Sequence, residues 1–322
     1  MKLHSRIGIG GSLLAACGLA LLTPATLIAR EATPAARISL PGERVIPESI
    51  TSTSDGRIYI GSLGARTIFR AKATDKKAQP WVQPEMEAAQ GIYGVFADER
   101  SNTLYACVSG FGPAGSSAAA ELLALDLNTG KLQGRYTFPT EGGLCNDIAT
   151  GPDGAAYVTD SRNMEILRLA PGGRALERWK GEGAFGPKGG VLDGIAVLGK
   201  RVFVNTLTTN KLFSIPIVSG GRAGDATEVL LDRPIAAPDG MRSWGDSALL
   251  LVESGDVGRV SRVDVSDNKG KVTTLLEGFS GGPVSATIVG TDIFVVEAQF
   301  GALRNNSPFK PFEALGFPLP KR

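Results

Sequence analysis

The chain has 322 residues, 43% of them hydrophobic and 20% charged, with a formal net charge of +2, a size that suits one large domain or two ordinary ones. Glycine fills 42 positions, about 13% and nearly twice ordinary usage, without a collagen period, so tight turns abound and a coiled coil or helical bundle is excluded. His4 is the one histidine and lies in an apparent leader, so the mature chain has no Ser-His-Asp triad, Cys-His pair, histidine-ligated zinc or histidine proton relay.

In chain order, Lys2 and Arg6 precede an apolar stretch at residues 7–29, and Thr33 and Ala35 supply small residues for cleavage. Residues 1–35 read as a signal peptide, which sends residues 36–322 to the periplasm or the medium. Two alternatives are an uncleaved anchor over residues 7–29 and a lipoprotein box, Leu14-Ala15-Ala16-Cys17-Gly18, although the apolar run continues beyond Cys17. Losing Lys2, Arg6, Arg30 and Glu31 leaves 31 positive against 31 negative residues with no basic block, so no nucleic-acid partner is expected, nor a membrane span after cleavage.

The mature chain has no low-complexity linker. Short apolar runs at 57–60, 103–108, 155–159, 201–205, 248–253 and 292–297 alternate with Gly, Asn, Asp and Pro turns, and each fits a strand. The stretch GFGPAGSSAAA at 110–120 reads as a surface loop. The segments before these strands align as Pro47-Glu48-Ser49, Ile92-Tyr93-Gly94, Cys145-Asn146-Asp147, Leu192-Asp193-Gly194, Pro238-Asp239-Gly240 and Val284-Ser285-Ala286. Their second residues are spaced by 45, 53, 47, 46 and 46, the long step holding the 110–120 loop. Six strand-built units of this length predict an all-β, six-bladed β-propeller, closed by strands from both ends of the mature chain.

Equivalent positions in successive blades stand at one height around the channel. The aligned residues Glu48, Tyr93, Asn146, Asp193, Asp239 and Ser285 therefore form a ring. Three carboxylates in a narrow channel are costly unless a cation neutralises them, which points to one divalent ion held by Glu48, Asn146, Asp193 and Asp239: Ca²⁺ first, then Mg²⁺, Mn²⁺ or Zn²⁺. Taken singly, Asp-Gly and Asn-Asp are common turn pairs, and the shared repeat position is what raises them to a site. Asp55-Gly56 and Asp153-Gly154 fall later in the repeat and read as hairpin turns. Cys107 and Cys145 are read either as a disulfide or as two buried thiols.

These motifs resemble the gluconolactonase, regucalcin and senescence-marker-protein family of six-bladed propellers. The resemblance rests on Pro47-Glu48, Cys145-Asn146-Asp147, Pro152-Asp153-Gly154, Tyr157-Val158-Thr159-Asp160, Leu192-Asp193-Gly194 and Ala237-Pro238-Asp239-Gly240-Met241, and spans residues 45–300. It implies Glu48, Asn146 and Asp239 as metal ligands, Asp239 as the base, and metal-assisted opening of a cyclic ester. Two positions depart from the family pattern: Asp193 stands where Asn is usual, and Ser49-Ile50 follows Glu48 where Gly-Pro is usual. Asp239, with Asp193 as substitute, is the expected base. Tyr93, Arg242 and Glu297 are expected at the rim against a small-molecule substrate, with a surface salt bridge as the equal alternative for Arg242. The competing class is a non-catalytic metabolite- or protein-binding propeller, and a monomer is expected in either case.

Overall fold

The computed structural model describes Met1 and residues 33–111, 118–181, 183–186 and 190–320. The readings on His4, Cys17 and most of the leader, and on residues 112–117 of the glycine-rich loop, lie outside the described residues. No helix among the described residues is long and apolar enough to cross a membrane.

Six β-sheets, antiparallel except for one added outer strand, surround a central channel. After β1 (Ala36–Ser39), blade one holds β2 (Pro47–Ser52), β3 (Arg57–Ser62), β4 (Ile68–Lys72) and β5 (Gln79–Val82). Blade two holds β6 (Gln90–Asp98), β7 (Thr103–Gly110), β8 (Glu121–Asp126) and β9 (Leu132–Thr137). Blade three holds β10 (Cys145–Thr150), β11 (Ala156–Asp160), β12 (Glu165–Leu169) and β13 (Glu177–Lys180). Blade four holds β14 (Leu192–Leu198), β15 (Arg201–Thr206), β16 (Lys211–Pro216) and β17 (Thr227–Glu228). Blade five runs from β18 (Leu230–Leu231) through β19 (Pro238–Trp244), β20 (Ala248–Glu253) and β21 (Gly258–Ser266) to β22 (Lys269–Phe279), with β18 added in parallel outside β22. Blade six takes β23 (Pro283–Val289), β24 (Asp292–Glu297) and β25 (Glu313–Pro318) from one end of the chain and β1 from the other. That pairing is the closure expected from the sequence.

The six apolar runs of the sequence are the second strands of the blades, and 248–253 and 292–297 match β20 and β24 residue for residue. They were legible because both faces are covered by neighbouring blades, so they read as continuous apolar runs; β20, Ala-Leu-Leu-Leu-Val-Glu, is buried at every residue. Six buried apolar clusters sit one at each blade interface, for example Tyr59, Ile68, Ile92 and Leu104 between blades one and two. A single blade cannot bury its own faces, which is why the repeat must stack and close.

Trp81 packs on Tyr59 and Arg70, Trp179 on Tyr157, and Trp244 on Arg262. All three serve packing around the blades.

Candidate functional site

Each innermost strand carries a β-bulge at one place. The register slips between Pro47 and Ser49, Ile92 and Val95, Cys145 and Ile148, Leu192 and Ile195, Pro238 and Met241, and Pro283 and Ser285. A bulge inserts one unpaired residue and re-aims its side chain. The inserted residues are Glu48, Tyr93, Asn146, Asp193, Asp239 and, in blade six, Val284. All six line one cavity of ≈ 630 Å³ at the channel mouth. The sixth ring position is therefore Val284. Ser285, aligned with the ring from sequence, lies one step deeper, where its Oγ accepts the Ile50 N–H at 3.3 Å.

The next layer down the channel is Ser49, Gly94, Asp147, Gly194, Gly240 and Ser285, and it ties blade to blade. Ser49 Oγ accepts the Val95 N–H at 3.1 Å, and Asp147 Oδ2 accepts the Ile195 N–H at 3.3 Å. The glycines are there because the blades touch: a Cβ at Gly94 would lie 2.1 Å from Asn146 O, and one at Gly194 would lie 2.3 Å from Asp239 O.

Arg242 corrects the sequence reading. Strand side chains alternate, so Arg242, two residues beyond Gly240, points into the channel a further layer down rather than out to the rim. It is 7% exposed and does not line the mouth cavity. Its Nη1 donates to both carboxylate oxygens of Asp147 (2.9 and 2.8 Å) and to Met241 O (2.8 Å). Its Nη2 donates to Ser49 Oγ (3.0 Å), Val95 O (3.2 Å) and Ile50 O (3.3 Å). The guanidinium thus stoppers the channel, with the acid ring on one side and a ≈ 180 Å³ pocket bordered by Thr51, Phe96 and Thr287 on the other.

Glu297 also moves. It lies at the end of β24 and does not border the cavity; its Oε1 accepts the Gly281 N–H at 2.6 Å and so holds the 280–282 segment, which does. Other second strands end the same way. Asp160 Oδ1 accepts the Leu144 N–H at 3.0 Å, Glu253 Oε2 accepts the Ala236 N–H at 3.0 Å, and Ser62 Oγ donates to Val45 O. The small or charged residue closing each of these strands clamps the loop that enters the innermost strand.

The ring's electrostatics follow from burial. Glu48, Asp193 and Asp239 are 8%, 5% and 8% exposed. Burial pushes the Glu48 carboxyl well above the usual range, with Asp193 and Asp147 adding to the rise and Arg242 opposing it. Asp193 is raised by burial and then by Asp239 and Asp147, against a hydrogen bond from Asn146. Asp239 is raised by burial and then by Glu48, while hydrogen bonds from Gly240 N–H and Ser254 pull it down. Tyr93, beside Glu48, is raised chiefly by burial, and its hydroxyl donates to Gly110 O at 3.1 Å.

Three carboxylates and a carboxamide are hard oxygen donors of the kind Ca²⁺ or Mg²⁺ takes. The donor chemistry fits such an ion. The side chains stand around the axis rather than converged, and among the described residues no three His, Cys, Asp or Glu form a ready cage.

Cys107 on β7 and Cys145 on β10 form a disulfide between blades two and three, with Cα atoms 5.1 Å apart. Both are fully buried, and Cys145 immediately precedes Asn146. Of the two readings left open by sequence, the structure contains the disulfide. Asp147 escaped the sequence reading as a functional residue, although its bulge-relative position is a channel position.

No protein-family model matches the chain, and no curated protein matches it in sequence. Solved structures do match in fold. The allergen Mala s 1 of Malassezia sympodialis superposes with a TM-score of 0.67 at 15% identity, over 87% of this chain and 95% of that one. A provisionally assigned gluconolactonase gives 0.61 at 14% identity over 90% and 97%. The calcium-binding protein regucalcin from Agrobacterium tumefaciens gives 0.58 at 14% over 88% and 97%. At these identities the likeness establishes the six-bladed propeller fold, shared with gluconolactonase-like proteins, and nothing finer.

Proposed function

We propose that the protein is an exported, divalent-metal-dependent hydrolase that opens a small lactone. The observation that carries this reading is the ring of three buried carboxylates and one carboxamide on the floor of a ≈ 630 Å³ cavity, above a channel closed by its own arginine. The propeller fold shared with a calcium-binding regucalcin and a provisionally assigned gluconolactonase supports it. Export is supported by the leader pattern in the sequence and by the Cys107–Cys145 disulfide, which suits an oxidising compartment.

Glu48, Asn146 and Asp239 would hold the ion, with Asp193 as a fourth donor, and a bound ion there would supply Lewis-acid stabilisation of negative charge on the ester oxygen. Asn146 is oriented by the bond from its Nδ2 to Ser161 Oγ at 3.0 Å. Asp239 Oδ1 accepts the Gly240 N–H at 2.9 Å, which orients the carboxylate that would take a proton from water. The Arg242 plug denies the floor a second entrance, so substrate and water share the mouth.

The test is lactone hydrolysis by pH-stat on chelator-stripped protein, run alone and then with Ca²⁺, Mg²⁺, Mn²⁺ or Zn²⁺, over aldonolactones and aliphatic lactones. Activity should return with metal, and Asp239→Asn should lower it by about 10²- to 10⁴-fold, the range for a lost general base. Stoichiometric metal binding without turnover of any lactone would overturn the hydrolase and leave a binding propeller.

A further inference from the structure

The cavity walls say more about the substrate than the floor does. Around the ring stand Leu144, Val191, Leu207, Phe279, Phe300 and Pro308. Phe300 belongs to α1 (Phe300–Arg304), inserted between β24 and β25, and that insertion forms one wall.

The hydrogen-bond donors among the neutral polar side chains of the walls are largely engaged within the protein itself. Tyr93 Oη donates to Gly110 O at 3.1 Å and Ser161 Oγ to Leu192 O at 2.5 Å, while the Ser254 hydroxyl is shared between Ala237 O, at 3.1 Å, and the Asp239 carboxylate. Both ends of the Gln299 amide are used on the Lys310 main chain, at 3.0 and 2.9 Å. Ser280 lies at the exposed edge, as do Arg304, Lys310 and Asp256, whose charges are of both signs and favour no ionic substrate.

A sugar lactone would bring several hydroxyl oxygens into this space, where few wall donors are free to meet them, and a buried hydroxyl left short of a partner weakens binding about 5- to 150-fold. An alkyl or aryl group meets walls of its own kind. The volume, ≈ 630 Å³, lies within the range of about 300–1,000 Å³ that accommodates drug-sized ligands, well beyond a bare lactone ring.

Resting on the hydrolase reading, we infer that the substrate is an amphipathic lactone bearing an apolar chain or ring, whose ester group reaches the acid floor while the apolar part packs against Leu144, Val191 and Leu207. Polyhydroxylated sugar lactones are the class this cavity disfavours.

The experiment separates binding from turnover. Kd would be measured by calorimetry on the full chain for non-hydrolysable δ-lactams: δ-valerolactam, its propyl and hexyl derivatives, and gluconolactam. Each added methylene should tighten binding about fourfold until the cavity is filled, and gluconolactam should bind no better than δ-valerolactam. Leu207→Asn, at a half-buried wall position, should weaken the hexyl lactam about tenfold and leave δ-valerolactam unchanged. A flat alkyl series, or gluconolactam binding more tightly than the hexyl compound, would overturn the inference. So would a higher kcat/KM for sugar lactones than for alkyl lactones, and that result would leave the hydrolase intact. Alkyl lactams that bind to a protein turning over no lactone would remove the hydrolase and uphold the ligand class.

Discussion

Replacing Arg242 with methionine tests whether the channel is held by a buried ion pair. The guanidinium makes six hydrogen bonds, and its partner Asp147 sits in the channel with a side chain 5% exposed, against 9% for the arginine. Methionine keeps most of the stem volume but leaves the Asp147 carboxylate buried without a counter-ion, and strips the Ile50, Val95 and Met241 carbonyls of a donor. Breaking one side of a buried pair costs about 3–5 kcal/mol. The folded state loses that stability at neutral pH, read as ΔG from equilibrium urea unfolding with m-values compared. The informative partner is Arg242→Met with Asp147→Asn. Most of the single variant's penalty is the stranded charge, so the double variant should be about 2 kcal/mol more stable than Arg242→Met alone, while the amide oxygen that Asp147→Asn introduces can still accept the Ile195 N–H. An Arg242→Met protein within about 1 kcal/mol of wild type, or a double variant no more stable than the single, would refute the ion-pair argument.

The raised carboxyls of Glu48, Asp193 and Asp239 mean that the folded protein binds more protons than the unfolded chain, so metal-stripped protein should lose stability as pH rises from about 4 towards neutrality. Glu253 works in the opposite sense: burial raises its carboxyl, but hydrogen bonds from Arg233 and Ser261 outweigh that, so its stabilisation is present above its unfolded pKa and lost as pH falls through the folded value. Thermal melts in chelator should show the ring's slope flattened by Asp193→Asn, and Ca²⁺ should raise Tm most at the high-pH end; a Ca²⁺ response equal at every pH would contradict the acid-ring account. Removing the disulfide with Cys107→Ser and Cys145→Ser frees a 38-residue separation and should cost about 4 kcal/mol of unfolding free energy by the loop-entropy relation, measured by urea titration against wild type. Gly94→Ala drives a Cβ to within 2.1 Å of Asn146 O and should destabilise by about 1–3 kcal/mol, with divalent-ion affinity falling alongside because the Asn146 backbone must shift. Unchanged melting and ion binding in that variant would show that the blades do not meet there as described.

The fold was legible where burial is two-sided. The second strands are pressed between neighbouring blades, so their apolar runs and the turns before them stand out at a constant spacing. The outer strands do not: β9, Leu-Gln-Gly-Arg-Tyr-Thr, is half in solvent and carries no run, and β17 and β18 have two residues each. β1 is found only through its partner, since four residues have no periodicity of their own.

The site was legible for a different reason, and its errors share one cause. The bulge residue of each innermost strand is the one whose side chain is free of the sheet's alternation, so the repeat can place a chemical group there without disturbing the blade, and five of the six aligned residues line the mouth cavity. In blade six Pro283, like Pro47 and Pro238, precedes the bulge, which makes Val284 the ring residue and puts Ser285 one layer below. The same geometry displaces Arg242. Counted along the sequence it lies three residues from Asp239 and looks close to the mouth. Counted along the strand, the bulge absorbs one residue, and the remaining two carry the side chain about 7 Å down the channel on the inward face. Sequence distance reports proximity to the site only on the loop side of the bulge. On the strand side the alternation of the sheet decides, and it turns Arg242 from a group that could meet substrate into the stopper beneath it.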